Sequence, residues 1–243
     1  MTEDPLYMIR ADLDVVALVR RGQRQGMRLQ EIDLGYLVHS AADATFGAGA
    51  LRPFSITERE RWARVLAYTE RAPDVLQDHA QAFAEPSDHG AWDWDSFASK
   101  PMLARFDAGR RLGFSLRVCP VVRSLGRDGM HQAGKEIDAF LAACARAGQG
   151  VPVDREAVYL DWLSRRLEGA ARLEDASVET FRRVRLLRRT QGGDRRSCML
   201  ERPSATFRGV LEVQDTARFA GLLRKGVGRH KAFGFGMLLL SPP

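Results

Sequence analysis

The chain has 243 residues, 45% of them hydrophobic and 28% charged, which is the composition of a folded globular protein with one large or two small domains. A formal net charge of +6, from 37 basic and 31 acidic residues, favours a polyanionic partner, although many mildly basic proteins have none. No segment reaches the ~18 consecutive apolar residues of a membrane span, and the acidic start MTED is unlike a signal peptide, so we expect a cytoplasmic protein.

The first half of the chain predicts strands with one helix packed on them. Residues 29–46 (LQEIDLGYLVHSAADATF) carry apolar side chains at helical spacing, and the pattern stops at Gly47. Alternating apolar and polar residues predict strands, whereas a polar segment punctuated by Pro and Gly predicts a folded loop. The strands are expected at 6–14, at 61–70 and, as a pair joined at the turn DAGRR, at 104–124, and the loop at 85–100.

The second half repeats this order of elements without visible repetition of sequence. A Gly-rich connector at 124–137 separates the halves, so we predict domains at 1–130 and 131–243. An order of strand, helix, two strands, helix and strand is the ferredoxin-like or RRM-type plan, and we therefore predict an α+β protein with two such domains in tandem. Helices are expected at 135–148, 154–173 and 216–226, and strands at 178–189, 197–215 and 233–240, the first two joined by the turn TQGGD.

Patterns of metal binding and disulfide formation are missing from the sequence. The three cysteines at 119, 144 and 198 are scattered and never stand in C-x-x-C spacing, so we expect each to pack in the core. The histidines at 79, 89 and 131 have no ligand spacing with one another or with the cysteines. We therefore predict neither a metal site nor a cofactor.

The segment GVGRHKAFGFG combines four glycines with three potentially cationic side chains. Its order of helix, loop and strand is the reverse of a dinucleotide-binding fingerprint, which disfavours a small-molecule enzyme that binds a nucleotide there. A helix cap followed by a tight turn would explain the first two glycines without a ligand. The cations favour contact with a phosphate chain instead, and the candidate residues are Gly226, Gly228, Arg229, His230 and Lys231.

Tyr36 and His39 are three residues apart on the predicted helix and hence share a face. An imidazole beside a phenol is a competent acid and base pair for phosphodiester chemistry. A single histidine on an amphipathic helix is more often structural, however, and the spacing leaves both interpretations open.

The most basic stretch is RRVRLLRRTQGGDRRS, predicted as a hairpin. A tip with charges of one sign repels itself, so an anionic partner is the preferred interpretation over a merely solvated face. For Trp92 and Trp94 we favour packing of the 85–100 loop over stacking on bases. The predicted binding residues at the hairpin tip are Arg188, Arg189, Arg195 and Arg196.

Several of these segments together resemble the CasE family, the endoribonucleases that mature CRISPR RNA in type I-E systems. The resemblance is carried by YLVHSAADATF, LGFSLRVCPVVR, DWLSRRLEGAARLEDASVE and, most specifically, TFRGVLEVQDTARFAGLLRKGVGRHKAFGFGMLLLSP. It implies two ferredoxin-like domains and metal-independent cleavage at the base of a repeat hairpin, by attack of a ribose 2′-hydroxyl that leaves a 2′,3′-cyclic phosphate and a 5′-hydroxyl. The implied partners are the CRISPR RNA and a neighbouring backbone subunit of Cascade, with DNA reached only through that complex.

The resemblance implies that His39 is the catalytic histidine and Tyr36 its partner. Cleavage adds negative charge to the phosphate, and our candidates for the cations that stabilise it are Lys231 and Arg229. One departure from the family concerns the residues after the histidine, which are often bulky or basic in relatives. This chain has small residues there and Asp43, so a cation expected on that helix is missing, and we expect catalysis either to be slow or to rely on cations from the loop. A non-catalytic RNA-binding subunit of a ribonucleoprotein is the alternative function.

Overall fold

The computed structural model describes residues 5–28, 32–103, 105–124, 126, 132–189 and 197–243, and of Arg188, Arg189 and Ser197 it describes the backbone alone. Within these ranges the chain forms two four-stranded antiparallel sheets with helices packed on them, and a short two-stranded ribbon.

The first sheet comes from the first 101 residues. Its strand order is β2-β3-β1-β4, and every pairing in it is antiparallel. The elements are β1 (Tyr7–Asp14), α1 (Val15–Arg24), α2 (Leu34–Phe46), β2 (Phe54–Glu58), β3 (Trp62–Thr69), α3 (Pro73–Phe83), α4 (Pro86–His89) and β4 (Trp92–Pro101).

The second sheet has the strand order β10-β5-β9-β8, again antiparallel throughout. Two short strands, β6 and β7, pair with each other beside it. The elements are β5 (Arg111–Val118), β6 (Val121–Arg123), β7 (Glu136–Asp138), α5 (Ala139–Ala147), α6 (Arg155–Leu167), β8 (Ala171–Arg189), β9 (Ser197–Val213), α7 (Thr216–Lys225), a 3-10 helix (Lys231–Phe233) and β10 (Leu238–Ser241).

Both sheets have the strand order 4-1-3-2 of a ferredoxin-like unit, so the predicted fold class is confirmed. The domain division at residue 130 stays a prediction. The sheets themselves separate earlier, between Pro101 and Arg111, because β5 precedes residue 130 and yet pairs with β9 and β10.

The loop predicted at 85–100 is wrong, because most of this segment is the edge strand β4. Trp92 lies opposite Leu13 of β1, and its indole is buried, where it donates to Thr45 Oγ1 at 2.9 Å. Trp94 stacks on His89 with ring centroids 4.5 Å apart. Both indoles therefore pack within the first unit, as favoured over base stacking. Asp93 between them and Asp95 after them hid the strand pattern.

Other elements also differ from the expectations. Helices α1 and α3 and strand β2 were not predicted, and residues 105–110, expected to hold part of a strand, form the turn before β5. The last strand is shorter than predicted because Gly234 and Gly236 have positive φ angles of 77° and 85°, which an extended strand does not accommodate. The turn TQGGD lies outside the described residues.

The long β8–β9 hairpin belongs to the second sheet but reaches the first core. Leu187 is fully buried among residues of the first unit, and Met199 packs against the same cluster. In the other direction, Tyr68 of β3 lies in the second core and donates to the Leu238 carbonyl at 2.8 Å. Each unit thus contributes to the core of the other. Among the described residues, no helix is long and apolar enough to cross a membrane.

Candidate active site and nucleic-acid interface

Helix α2 carries the predicted catalytic pair, and its start is anchored to the second unit. Asp33 caps the helix by accepting from the Tyr36 backbone N–H at 3.2 Å, and its other oxygen accepts from Leu187 N–H of β8 at 2.9 Å. Burial raises the pKa of Asp33, against the lowering effect of these backbone donors. One buried carboxyl group therefore fixes both the beginning of α2 and its distance from the hairpin.

His39 lies in a small polar cluster with one acidic residue, Asp43, and one basic residue, Arg52. Arg52 Nη2 is 3.2 Å from each ring nitrogen of His39 and donates to Asp43 Oδ2 at 3.0 Å. The same Asp43 oxygen is 3.4 Å from His39 Nδ1, one helical turn away. The side chain of His39 is 20% exposed, so a substrate can reach it without unfolding of the helix.

Asp43 stays ionised in this cluster. Burial by itself raises its pKa, but the hydrogen bond and charge of His39, the Gly49 N–H donor and the charge of Arg52 together bring the pKa below its usual value. Its Oδ1 accepts from Gly49 N–H at 3.0 Å, which ties the loop after α2 to the helix.

Tyr36 stands one turn before His39 and is partly buried against the first core. The helical spacing that predicted a shared face is confirmed, since both residues lie within α2. The polar partners of the His39 side chain are Arg52 and Asp43, and cooperation between Tyr36 and His39 stays a prediction.

The glycine loop at 226–237 lies between α2 and β2. A Cβ on Gly35 would come within 2.6 Å of the Phe233 carbonyl oxygen, and one on Gly226 within 2.8 Å of Pro53. The loop thus packs on the residue before Tyr36 and on the residue after Arg52. Gly226 and Gly228 have φ angles of 70° and 76°, and a Cβ on Gly228 would lie 3.1 Å from Trp162, so both glycines are explained without any ligand.

Two of the loop's three cations are held by one carboxylate. Glu136 of β7 accepts from Arg229 Nε at 2.6 Å and from His230 Nε2 at 2.8 Å, and Arg202 Nε lies 3.4 Å away. Burial raises the pKa of Glu136, but these charges outweigh it and the pKa is lowered. Burial also lowers the pKa of His230, despite Glu136. Because both are partnered in this way, any phosphate contact by Arg229 or His230 has to compete with Glu136.

Lys231, the third loop cation, has a different setting. Its ammonium donates to the Lys225 carbonyl at the end of α7. Burial, followed by the charge of Lys225, lowers its pKa. Lys225 in turn lines a cavity of about 390 Å³ between the two units, whose wall also includes Arg52, Arg71, Arg224 and the single acid Glu70. Lys231 is thus linked through Lys225 to the wall of a basic cavity that Arg52 also lines.

The described part of the hairpin presents arginines to solvent. Arg182, Arg183 and Arg185 of β8 are exposed, with Arg183 paired to Glu201 at 3.0 Å. The backbones of Arg188 and Arg189 pair with Cys198 and Ser197 at the far end of the hairpin. Arg195 and Arg196 lie outside the described residues, so RNA binding by the tip stays a prediction.

Arg52 is the site residue that sequence reasoning missed. It lies 13 residues after His39, outside any helical spacing, and no local motif marks it. The available signal was indirect, namely the lack of a basic residue after His39 on a helix expected to act on phosphate. Among the described residues, no group of three or more His, Cys, Asp and Glu side chains is arranged to hold a metal ion.

Comparison with known proteins relates this architecture to a family. The family described as CRISPR associated protein matches residues 6–242. The CRISPR-associated endoribonuclease Cse3 of Thermus thermophilus is 32% identical over 155 residues, which is 60% of this chain and 63% of that protein. The Cascade subunit CasE of Escherichia coli is 34% identical over 92 residues, 38% of this chain and 43% of that protein. The alignments thus span less than two thirds of each relative.

Solved structures share the fold over nearly the whole chain. A Cse3 endoribonuclease bound to a 19-nucleotide RNA superposes with a TM-score of 0.66 at 23% identity, covering 98% of this chain and all of that one. Cas6e from Escherichia coli K-12 superposes with a TM-score of 0.57 at 22% identity and the same coverage. With the family match over residues 6–242, this chain belongs to the CRISPR-associated protein family that includes Cse3 and CasE.

Proposed function

We propose that this protein is a metal-independent endoribonuclease that cleaves CRISPR precursor RNA at the base of the repeat hairpin. The observation that carries the proposal is the position of His39, which is partly exposed, has an arginine 3.2 Å from its ring, and lies on the helix that packs against the glycine loop. Relatives named CRISPR-associated endoribonuclease and Cascade subunit support the same reaction class.

The reaction follows from the chemistry of RNA and of these side chains. The ribose 2′-oxygen attacks the adjacent phosphorus, the bond to the 5′-oxygen breaks, and the products are a 2′,3′-cyclic phosphate and a 5′-hydroxyl. A base takes the 2′-hydroxyl proton and an acid protonates the leaving oxygen. In this proposal His39 performs one of these transfers, and Tyr36 takes the other or positions the phosphate.

The RNA is held by two basic surfaces in this proposal. The glycine loop, with Arg229, His230 and Lys231, follows the backbone near the scissile phosphate, while the hairpin arginines contact phosphates of the stem, whose deep major groove hides the bases. The mature RNA stays bound and joins the protein to a neighbouring backbone subunit of Cascade. DNA is met only through that complex, in the cytoplasm.

Cleavage of a repeat-hairpin RNA in EDTA tests the proposal, beside the same RNA with one 2′-deoxy nucleotide at the cleavage position. We expect cleavage of the all-ribose RNA alone. His39→Ala should lower the single-turnover rate by ~10²-fold or more, the usual contribution of acid–base catalysis, while affinity for the 2′-deoxy hairpin stays within a few-fold. Equal loss of binding and cleavage would make His39 structural.

A non-catalytic RNA-binding subunit is the alternative that the same experiment separates. Tight binding with neither RNA cleaved, across several repeat hairpins, would favour it and contradict the nuclease proposal. Cleavage of the all-ribose RNA only in the presence of a divalent cation would contradict the metal-independent mechanism.

A further inference from the structure

The helix that carries His39 lacks a cation of its own. Its residues after His39 are SAADATF, and the charged one among them is the acid Asp43. Phosphodiester cleavage adds negative charge to the phosphate as the 2′-oxygen attacks, so a nearby positive charge is a strong source of rate enhancement. The structure places such a charge beside His39 from outside the helix.

That charge is Arg52, in the segment between α2 and β2. Its hydrogen bonds to described residues all run through Nη2, which lies 3.2 Å from both ring nitrogens of His39 and 3.0 Å from Asp43. Its Nε is buried and has no partner among the described residues. A buried donor without an acceptor costs stability, about 1–3 kcal/mol in general, and its retention calls for a role.

Asp43 holds Arg52 in place. Its Oδ2 accepts from Arg52, and its Oδ1 accepts from Gly49 N–H at 3.0 Å, so one carboxylate fixes both the guanidinium and the loop that carries it. The Arg52 side chain remains 37% exposed and lines the basic cavity of about 390 Å³ between the units. Arg52 therefore both lines the cavity and contacts His39, so a phosphate bound to its guanidinium would lie next to the residue that contacts His39.

We propose that Arg52 is a third catalytic residue, which binds a non-bridging oxygen of the scissile phosphate, and that Asp43 is the residue that positions it. This inference rests on the proposed endoribonuclease function. Arginine stays protonated, so Arg52 donates hydrogen bonds and transfers no proton. The two proton transfers remain with His39 and its partner, and Arg52 stabilises the additional negative charge of the pentacoordinate phosphorus.

The competing explanation is purely structural. Arg52 would then neutralise Asp43 and support His39 without touching RNA. The two explanations differ in whether a small diffusible cation can restore the activity lost with the Arg52 side chain. A missing phosphate contact can be restored by such a cation, whereas a missing structural arginine cannot.

Single-turnover cleavage of the hairpin RNA, with affinity for the uncleavable 2′-deoxy hairpin as a second readout, tests the proposal in the full-length protein. Arg52→Ala should lower the rate by ~10²–10³-fold, the usual cost of one donor to a transition-state oxyanion. Affinity should change by no more than a few-fold. Guanidinium chloride at non-denaturing concentration should restore part of the lost rate, and Arg52→Lys should retain more activity than Arg52→Ala.

Arg61→Ala is the matched control for the loss of one positive charge. Arg61, the residue before β3, pairs with Asp14. It lies ~26 Å along the extended chain from Thr69, which lines the cavity. Its removal should leave the cleavage rate and its response to guanidinium unchanged. Thermal unfolding of each variant excludes loss of fold as the cause of a lower rate.

A double-mutant cycle tests the role of Asp43. Asp43→Ala should lower the rate when Arg52 is present and have little further effect in Arg52→Ala, because a positioning residue acts through its partner. Additive losses would overturn the positioning role.

The outcomes of the Arg52 variants separate this inference from the proposed function. Two outcomes would overturn the role of Arg52 while the nuclease proposal stands, both with a wild type that cleaves. In the first, Arg52→Ala cleaves as fast as wild type; in the second, it loses rate and affinity together and guanidinium does not restore the rate. If the wild type cleaves none of the repeat hairpins, both are overturned.

Discussion

At the scale of single residues, the candidate site is a cluster in which basic side chains lower the pKa of the carboxylate between them. Asp43 faces His39 on its own helix and Arg52 from the following segment, and it stays ionised because their combined effect exceeds the cost of burial. Glu136 has the same relation to Arg229 and His230. Each carboxylate thus holds the side chains around it in a fixed arrangement.

The lowered pKa of Asp43 predicts how stability responds to acid. A carboxyl group whose pKa is lower in the folded state stabilises the fold above its ordinary value of 3.8, and this contribution is lost as the pH falls through the folded-state pKa. We expect Asp43→Asn to have a lower melting temperature than wild type at pH 6. The difference in melting temperature between the two proteins should shrink as the pH falls from about 4 to 2.5, because wild type then loses the charge of Asp43.

Calorimetric unfolding of both proteins across this range measures the effect. Asp107→Asn is the control, because Asp107 is largely exposed and its pair with Arg105 lies at the surface. A constant difference in melting temperature between wild type and Asp43→Asn at every pH would contradict the assignment of Asp43 as an ionised partner.

At the scale of elements, the active-site region depends on close contact between α2 and the glycine loop. The loop passes over Gly35, whose missing side chain makes room for the Phe233 carbonyl, and over Pro53 beside Arg52. This packing brings the segment that carries Lys231 against the helix that carries Tyr36 and His39. Helix, loop and β2 therefore act as one positioning unit for the cations and His39.

Gly35→Ala tests this packing. The new Cβ would lie 2.6 Å from a backbone oxygen, so helix and loop must separate, and we expect a loss of about 1–3 kcal/mol in the free energy of unfolding. The cleavage rate should fall with it, because Lys231 moves relative to His39. Chemical denaturation and single-turnover kinetics measure the two effects.

Gly221→Ala is the control for the element-scale prediction. Gly221 lies within α7, and its Cβ would meet no atom within 4 Å. Alanine in a helix interior should stabilise the protein by about 0.5–1 kcal/mol. A Gly35→Ala protein as stable as wild type would contradict the tight contact between α2 and the loop.

At the scale of the whole molecule, the two ferredoxin-like units share their cores. Leu187 from the second sheet is fully buried in the first unit, and Tyr68 from the first sheet is buried in the second. The Asp33 carboxylate joins the start of α2 to Leu187 N–H, so the same contact links the helix that carries His39 to the β8–β9 hairpin. The relative position of cleavage site and hairpin is therefore set by the fold.

This shared core predicts that the two units unfold together. Leu187→Ala should cost about 2–5 kcal/mol, the usual range for truncation of a buried leucine, and should shift one cooperative transition seen both by circular dichroism and by tryptophan fluorescence. Val75→Ala, at an exposed position of α3, is the control and should have little effect. Two separate transitions, with only one moved by Leu187→Ala, would contradict the coupling.

Local patterns in the sequence determined the fold class, the end of α2 and the presence of a glycine-rich segment before the last strand, whereas α2 begins at Leu34 and not at residue 29. These features depend on neighbours within a few residues, such as the apolar spacing of α2 and the stop at Gly47, and so they can be read directly. Strand β4 was missed because its acidic residues face away from the core, and the tertiary pairing with β1 overrides their weak strand preference.

Only the tertiary structure decided which side chains meet. Arg52 reaches His39 because the chain turns back after α2, and Glu136 reaches Arg229 and His230 across about ninety residues of sequence. The glycine loop contacts Gly35 and Pro53 from the far end of the chain. Such contacts are set by the packing of whole elements and leave no periodic trace in the sequence. Only the folded protein therefore shows that Arg229 and His230 are paired with Glu136 and that Arg52 is the basic residue beside His39.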